Sequence, residues 1–171
     1  MKSRRVLVGF SLAGIVLAIA AQAMAHDPGK AEVQDAKEKK VGSVVRASET
    51  YESQQAALYA PAVSAETVGS RALFLGQVSL PPGGRTKAHV HDHHESAFYF
   101  LSGEEVELWT GDELQHREVA RPGDFMFIPA NVPHVAVNRS KTAPAVFIGA
   151  RNEPTAQEGV VMRPDLDAKV P

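Results

Sequence analysis

From Arg71 onward, short apolar segments alternate with turn signals at intervals of roughly 8 to 12 residues, a cadence that suits an all-β sandwich or barrel. Residues 72–80 form one apolar run, closed by Pro81-Pro82-Gly83-Gly84. Residues 86–91, 96–101, 105–109, 114–119, 125–128, 132–137 and 145–150 read as further strands, with Ser102-Gly103, Thr110-Gly111-Asp112 and Arg121-Pro122-Gly123-Asp124 as punctuation. No long 3.6-residue periodicity interrupts them. With 171 residues, 44% of them hydrophobic, the chain has material for one ordinary domain.

Upstream of this region the pattern is weaker. Residues 1–25 have a basic start, an apolar core over 6–21 and a small-x-small site at Ala23-Met24-Ala25, the form of a cleaved export signal that would leave His26 as the first mature residue. Cleavage would also remove any stable membrane insertion. Ser3-Arg4-Arg5-Val6-Leu7-Val8 is similar to a twin-arginine motif, although ordinary export signals carry paired arginines too. A periplasmic or secreted location is expected. Residues 26–43 form a charged, flexible segment, 44–158 the β domain with an N-terminal extension, and 159–171 a C-terminal tail lying over the surface. Val44-Val45-Arg46 is a candidate strand, and Leu58 and Tyr59 are candidates for the core. A net charge of −2 argues against nucleic acid as a partner. With no cysteine, disulfides, thiolate metal sites and cysteine nucleophiles are excluded.

Four of the seven histidines fall in HVHDHHE, residues 89 to 95. On a strand, His89 and His91 point to the same face and form a pincer of two imidazoles, which suits zinc, iron, nickel or copper. If Asp92 to His94 bend, Glu95 swings back to add a carboxylate oxygen. His134, at the start of a strand far along the chain, is the candidate for a third nitrogen. His93, His94 and His116 read as exposed. Tyr99 shares the parity of Glu95 and is expected to line the barrel, which makes Glu95 and Tyr99 the catalytic candidates. Phe98 and Phe100 would then face outward and call for another layer or a second subunit, so a homodimer is expected. Trp109 and Phe125 read as packing residues, Arg71 and Arg151 as solvated, and Asn138 as a brace near His134.

Two gapped segments resemble the paired motifs of the cupin superfamily. The first reads G-x5-H-x-H-x3/4-E-x6-G and is met by Gly83, His89, His91 and Glu95, with Gly103 one residue late. The second reads G-x5-P-x-G-x2-H-x3-N and is met by Gly123, Pro129, His134 and Asn138, with Asn131 in place of the middle glycine. Asparagine is a mild substitute there, since it tolerates the left-handed conformation. Residues 88–103 and the segment Asn152-Glu153-Pro154-Thr155-Ala156-Gln157-Glu158 look most like small single-domain cupins.

The resemblance implies a single-domain β-barrel or jelly-roll sandwich holding one divalent metal ion on His89, His91, Glu95 and His134. Such a set leaves open positions for a small-molecule ligand or substrate. Manganese and iron are favoured over zinc, copper and nickel, because folding before export would shield a weakly held ion from competitors. The expected activity is that of a metal-dependent enzyme on a small organic molecule, dioxygenase-type first and isomerase or decarboxylase second. The alternative is a non-catalytic periplasmic binder of a small ligand or of the metal, because the fold does not choose between these.

Overall fold

The computed structural model describes residues 41–171, so the segment that reads as an export signal, and His26, lie outside the described residues. The chain forms two facing antiparallel sheets. Strands β1 (Tyr51–Glu52), β2 (Leu58–Val63), β3 (Phe74–Leu80), β5 (Ser96–Ser102), β8 (Phe125–Ile128) and β10 (Ala145–Arg151) make a six-stranded sheet in the order β1-β2-β3-β10-β5-β8. Strands β4 (His89–His91), β6 (Val106–Thr110), β7 (His116–Ala120), β9 (His134–Asn138) and β11 (Val160–Met162) make a five-stranded sheet in the order β11-β4-β9-β6-β7. A four-residue helix, Ala65–Val68, links β2 to β3 and is closed by a capping box between Ser64 and Thr67. This is the all-β jelly-roll sandwich that the turn cadence predicts.

Alternation along each strand builds the core. Phe74, Val78 and Leu80 of β3 and Phe147 of β10 point inward and pack with Tyr59, Phe100 and Val106. Each large apolar side chain so buried contributes about 1.5–3 kcal/mol. On β5 the inward residues are Ser96, Phe98 and Phe100, while Ala97, Tyr99 and Leu101 point out. This reverses the expected parity: Phe98 and Phe100 do not face outward. The outer apolar residues are instead Leu75, Tyr99, Leu101, Phe125 and Phe127. Phe125, expected to pack, is 79% exposed on edge strand β8.

Both ends of the domain depart from expectation. Val44–Arg46 has no regular structure and Val44 is exposed; the strands in this region are β1 and β2, and Tyr59 enters the core as expected. The C-terminal segment does not merely lie over the surface. β11 pairs with β4, matching Val160 to His91 and Met162 to His89. A 3-10 helix, Pro164–Lys169, follows, and Leu166 and Val170 pack on Ala88, Val135 and Val137 in a second apolar cluster. Asp167 fixes this cover by accepting from Arg85 and from the Ala88 backbone N–H, at 3.1 and 2.8 Å. Arg151 is buried too. It pairs with Glu153, stacks 3.6 Å over the Phe74 ring and donates to the carbonyls of Thr155 and Ala156. Among the described residues, no helix is long and apolar enough to cross a membrane.

Candidate metal centre

The site begins with register. His89 and His91 share the inner face of β4, and β9 runs antiparallel beside it with His134 directly opposite His89. Directly opposed residues in such a pair project to the same side, so three imidazoles meet. The turn ahead of His134 supports this placement. Asn131 sits there with a φ of 61°, the left-handed conformation expected of it, and its N–H donates to the His91 carbonyl at 2.9 Å. Asn138 at the far end of β9 donates to the carbonyls of Leu80, Pro81 and Ala143, which makes it the backbone brace it reads as.

One ligand-type nitrogen from each of His89, His91 and His134 lies within 4.8 Å of the others. Ring centroids are 4.2 Å apart for His89–His134, 4.5 Å for His91–His134 and 5.4 Å for His89–His91. Nδ1 of His89 donates to the Lys87 carbonyl at 2.8 Å, and Nδ1 of His134 to the Val132 carbonyl at 2.9 Å. Each bond fixes the tautomer and leaves the Nε2 lone pair free. His91 has no such anchor: its Nδ1 is buried without a hydrogen-bond partner. Burial lowers the pKa of all three rings, and their mutual repulsion depresses His91 and His134 further. His91 falls to about 4 and His134 well below its usual value. They are therefore neutral at pH 7, the form that binds metal.

The carboxylate is not where the first motif suggests. Glu95 is exposed, and its backbone N–H donates to the Asn152 side chain. The expected bend does form, with His93 at a φ of 60°, but the chain enters β5 with Ser96 inward, and neighbours on a strand face opposite ways. Tyr99 is likewise outside, against Phe125 with ring centroids 4.9 Å apart. Neither Glu95 nor Tyr99 lines the cavity.

Two residues expected elsewhere fill the gap. His94, expected to be exposed, is 3% exposed, and Glu158 of the C-terminal segment is also 3% exposed. With His91 they form a second group of ligand-type atoms within 4.8 Å. His94 Nδ1 lies 3.1 Å from the Asp92 carbonyl and its Nε2 3.1 Å from Glu158 Oε1. Both nitrogens thus face acceptors, the arrangement of an imidazolium. Burial pushes the His94 pKa down, but the bonds to Glu158 and Asp92 outweigh it and raise the pKa overall. Burial pushes Glu158 up, and the bond from His94, the nearby His91 and Arg151, and the Tyr59 hydroxyl overcome it, holding the carboxyl well below its usual range. His93 and His116 are exposed, as read from the sequence.

A cavity of about 50 Å³ opens between the sheets against His89, His91 and His134. Such a space holds an ion and a few waters, or a compact ligand. Phe98, Leu108, Met126, Ile128 and Phe147 make most of the wall, with Gln55, Tyr59 and Thr86 as polar neighbours and, among the described residues, no lysine or arginine.

Two packed antiparallel sheets enclosing an imidazole cluster define a double-stranded β-helix protein with a candidate metal site. The family model described as "Cupin domain" matches residues 76–150, and the chain is a small member of the cupin superfamily. The chain is 42% identical over 55 residues to quercetin 2,3-dioxygenase of Bacillus subtilis (strain 168), covering 32% of this chain and 15% of that protein. It is 26% identical over 98 residues to germin-like protein 3-1 of Oryza sativa subsp. japonica, covering 57% and 44%. The oxalate decarboxylase of Lactobacillus farciminis, solved as a formate complex, superposes with a TM-score of 0.56 at 18% identity, over 72% of this chain and 36% of that one. The chain thus spans less than half the length of these relatives.

Proposed function

We propose that this cupin holds one divalent metal ion on His89, His91 and His134 and acts as a metal-dependent enzyme on a small organic molecule. Dioxygenase-type chemistry is the first reading and isomerase or decarboxylase chemistry the second. The observation that carries it is the meeting of three neutral imidazoles, two with their tautomer fixed, at the wall of an apolar cavity. The residue types fit a first-row divalent ion, and the unpartnered His91 Nδ1 marks a ring that the protein alone does not satisfy. A bound ion would supply Lewis acidity or redox chemistry. The apolar wall excludes water and selects a compact ligand. With no cationic side chain on that wall, a neutral or singly charged molecule with one or two oxygen donors fits better than a dianion.

Export rests on the N-terminal segment, and the mature protein is expected to begin at His26. The uncharged outer face of Leu75, Tyr99, Leu101, Phe125 and Phe127 is assigned to a second copy of the chain. Sedimentation of the protein and of its F125E/F127E variant tests that dimer: the variant is expected to be monomeric.

The test of function is elemental analysis of protein purified from its native compartment without a metal-binding tag, followed by oxygen uptake with catechol, flavonol and diketone compounds. Manganese or iron with oxygen uptake supports the dioxygenase reading. Zinc without uptake moves the weight to Lewis-acid chemistry. A loaded protein that binds ligands and turns over none of them is a binder.

A further inference from the structure

Glu158 is the feature of this domain that the paired motifs do not account for. It arrives on the segment between β10 and β11, which is pinned on both sides. Arg151 donates to the carbonyls of Thr155 and Ala156, Tyr51 donates to Ala156 O at 2.6 Å, and the Ala156 N–H donates to Glu66 at 2.8 Å. The carboxylate is thereby driven into the space that inward-facing Ser96 leaves open, with Ser96 Oγ 3.4 Å from its Oε1.

We propose that Glu158 is the carboxylate ligand of the metal centre, replacing the Glu95 of the motif, with His94 as the cation that holds it in place. This rests on the reading of His89, His91 and His134 as metal ligands. Three observations carry it. The first is elimination: among the described residues the buried carboxylates are Glu107 and Glu158, and Glu107 is engaged by Arg117, Arg139 and Trp109. The second is position. Glu158 Oε1 lies 3.4 Å from His91 Nε2, and His91 belongs to both groups of ligand-type atoms, so a shift of the Glu158 carboxylate past His91 would bring it to the ion that His89 and His134 face. Two donors about 2.0–2.2 Å from one ion stand about 3.0–3.5 Å apart, so this spacing suits neighbours on a shared ion. The third is acceptor capacity. A carboxylate oxygen offers two lone pairs. Oε2 accepts from Gln55 at 2.8 Å and Tyr59 at 2.9 Å and is full. Oε1 accepts from His94 at 3.1 Å and only weakly from Ser96 Oγ at 3.4 Å, and this long bond is the one that an ion beside His91 would replace. Ser96 is a positioning residue here, since its hydroxyl leaves the room that a glutamate at 96 would fill.

The experiment is Co²⁺ titration of the metal-stripped full chain, read by its visible absorption, for wild type, E158Q, E95Q and H134A. The amide of E158Q keeps the size of the side chain but is a poorer ligand. Expected are equal affinity and spectrum for wild type and E95Q, loss of binding in H134A, and in E158Q a fall of about 10–100-fold in affinity with a changed absorption envelope. An unchanged E158Q, or a weakened E95Q, overturns the assignment of Glu158 while leaving the histidine site standing. Wild type that takes up no Co²⁺, or H134A that matches it, sinks the histidine site itself. If E158Q does not fold, a crystal structure of the Co²⁺-loaded wild type decides: Glu158 Oε1 on the ion is the expected result, and Glu158 turned away from it refutes the proposal.

Discussion

His91 is the shared wall between two regions of opposite electrostatic character. On one side, His89, His91 and His134 are rings kept neutral by burial, facing an apolar cavity. On the other, His94 and Glu158 are an ion pair, equally buried but supplied with hydrogen-bond partners by the chain itself. The same desolvation acts on both. What separates them is the supply of partners: the pair satisfies its own charges, whereas the triangle leaves nitrogen lone pairs unused. The pair is therefore stable in the folded chain without an ion, whereas the triangle is built for something the chain does not itself contain.

The largest test of that contrast is pH, because the triangle and His94 titrate with opposite sign, above the range in which Glu158 takes up its proton. The three triangle histidines have folded pKa values below their unfolded value near 6.5. Between those values the unfolded chain binds more protons, so stability falls as pH drops from about 6.5 towards 4, by up to about 1.4 kcal/mol per pH unit for each ring. His94 is raised, so its contribution is complete below about 6.5 and is lost as pH rises through its folded pKa. Urea denaturation of metal-stripped protein across this range should give a steep acid limb and a shallow alkaline one. A flat acid limb would mean that the triangle is not neutral in the native state.

Breaking the pair comes next. His94→Leu leaves Glu158 buried without its cation, and a loss of about 3–5 kcal/mol is expected. Removing both members in His94→Leu/Glu158→Leu should recover part of it, which a double-mutant cycle measures. Tyr59→Phe takes only one neutral donor from Glu158 and should cost about 1–2 kcal/mol.

The two regions also differ in how legible they are in the sequence. The turn cadence locates the strands: 125–128 coincides with β8, and most others begin or end within one to three residues. The triangle is legible because alternation on β4 and an antiparallel partner are local rules. The carboxylate is not, because one position decides the face. Reading Glu95 as inward placed Tyr99 inside and Phe98 and Phe100 outside, all of them reversed by the one-residue difference between Glu95 and Ser96. The late Gly103 was the signal, since a six-residue gap before it falls on Ser96. Glu158 sits in a polar, proline-marked segment whose composition suggests surface, and its burial depends on donors from Gln55, Tyr59 and His94, up to 103 residues away.

The smallest effect on stability is expected from His89→Leu, and it sharpens the comparison most. His89 is 1% exposed, neutral, and makes one backbone hydrogen bond, to the Lys87 carbonyl. Leucine forfeits that bond, worth about 0.5–1.5 kcal/mol net, but removes an imidazole desolvated beside two others and adds apolar contact with the cavity wall. These changes oppose each other, so metal-free stability should move by no more than about 1 kcal/mol while Co²⁺ binding is lost. Denaturation of the metal-free variant beside a Co²⁺ titration reads both quantities. A loss of several kcal/mol would make His89 a structural core residue and draw the triangle into the same category as the pair. A ring that costs the fold almost nothing to lose, yet abolishes metal binding, is one retained for its lone pair.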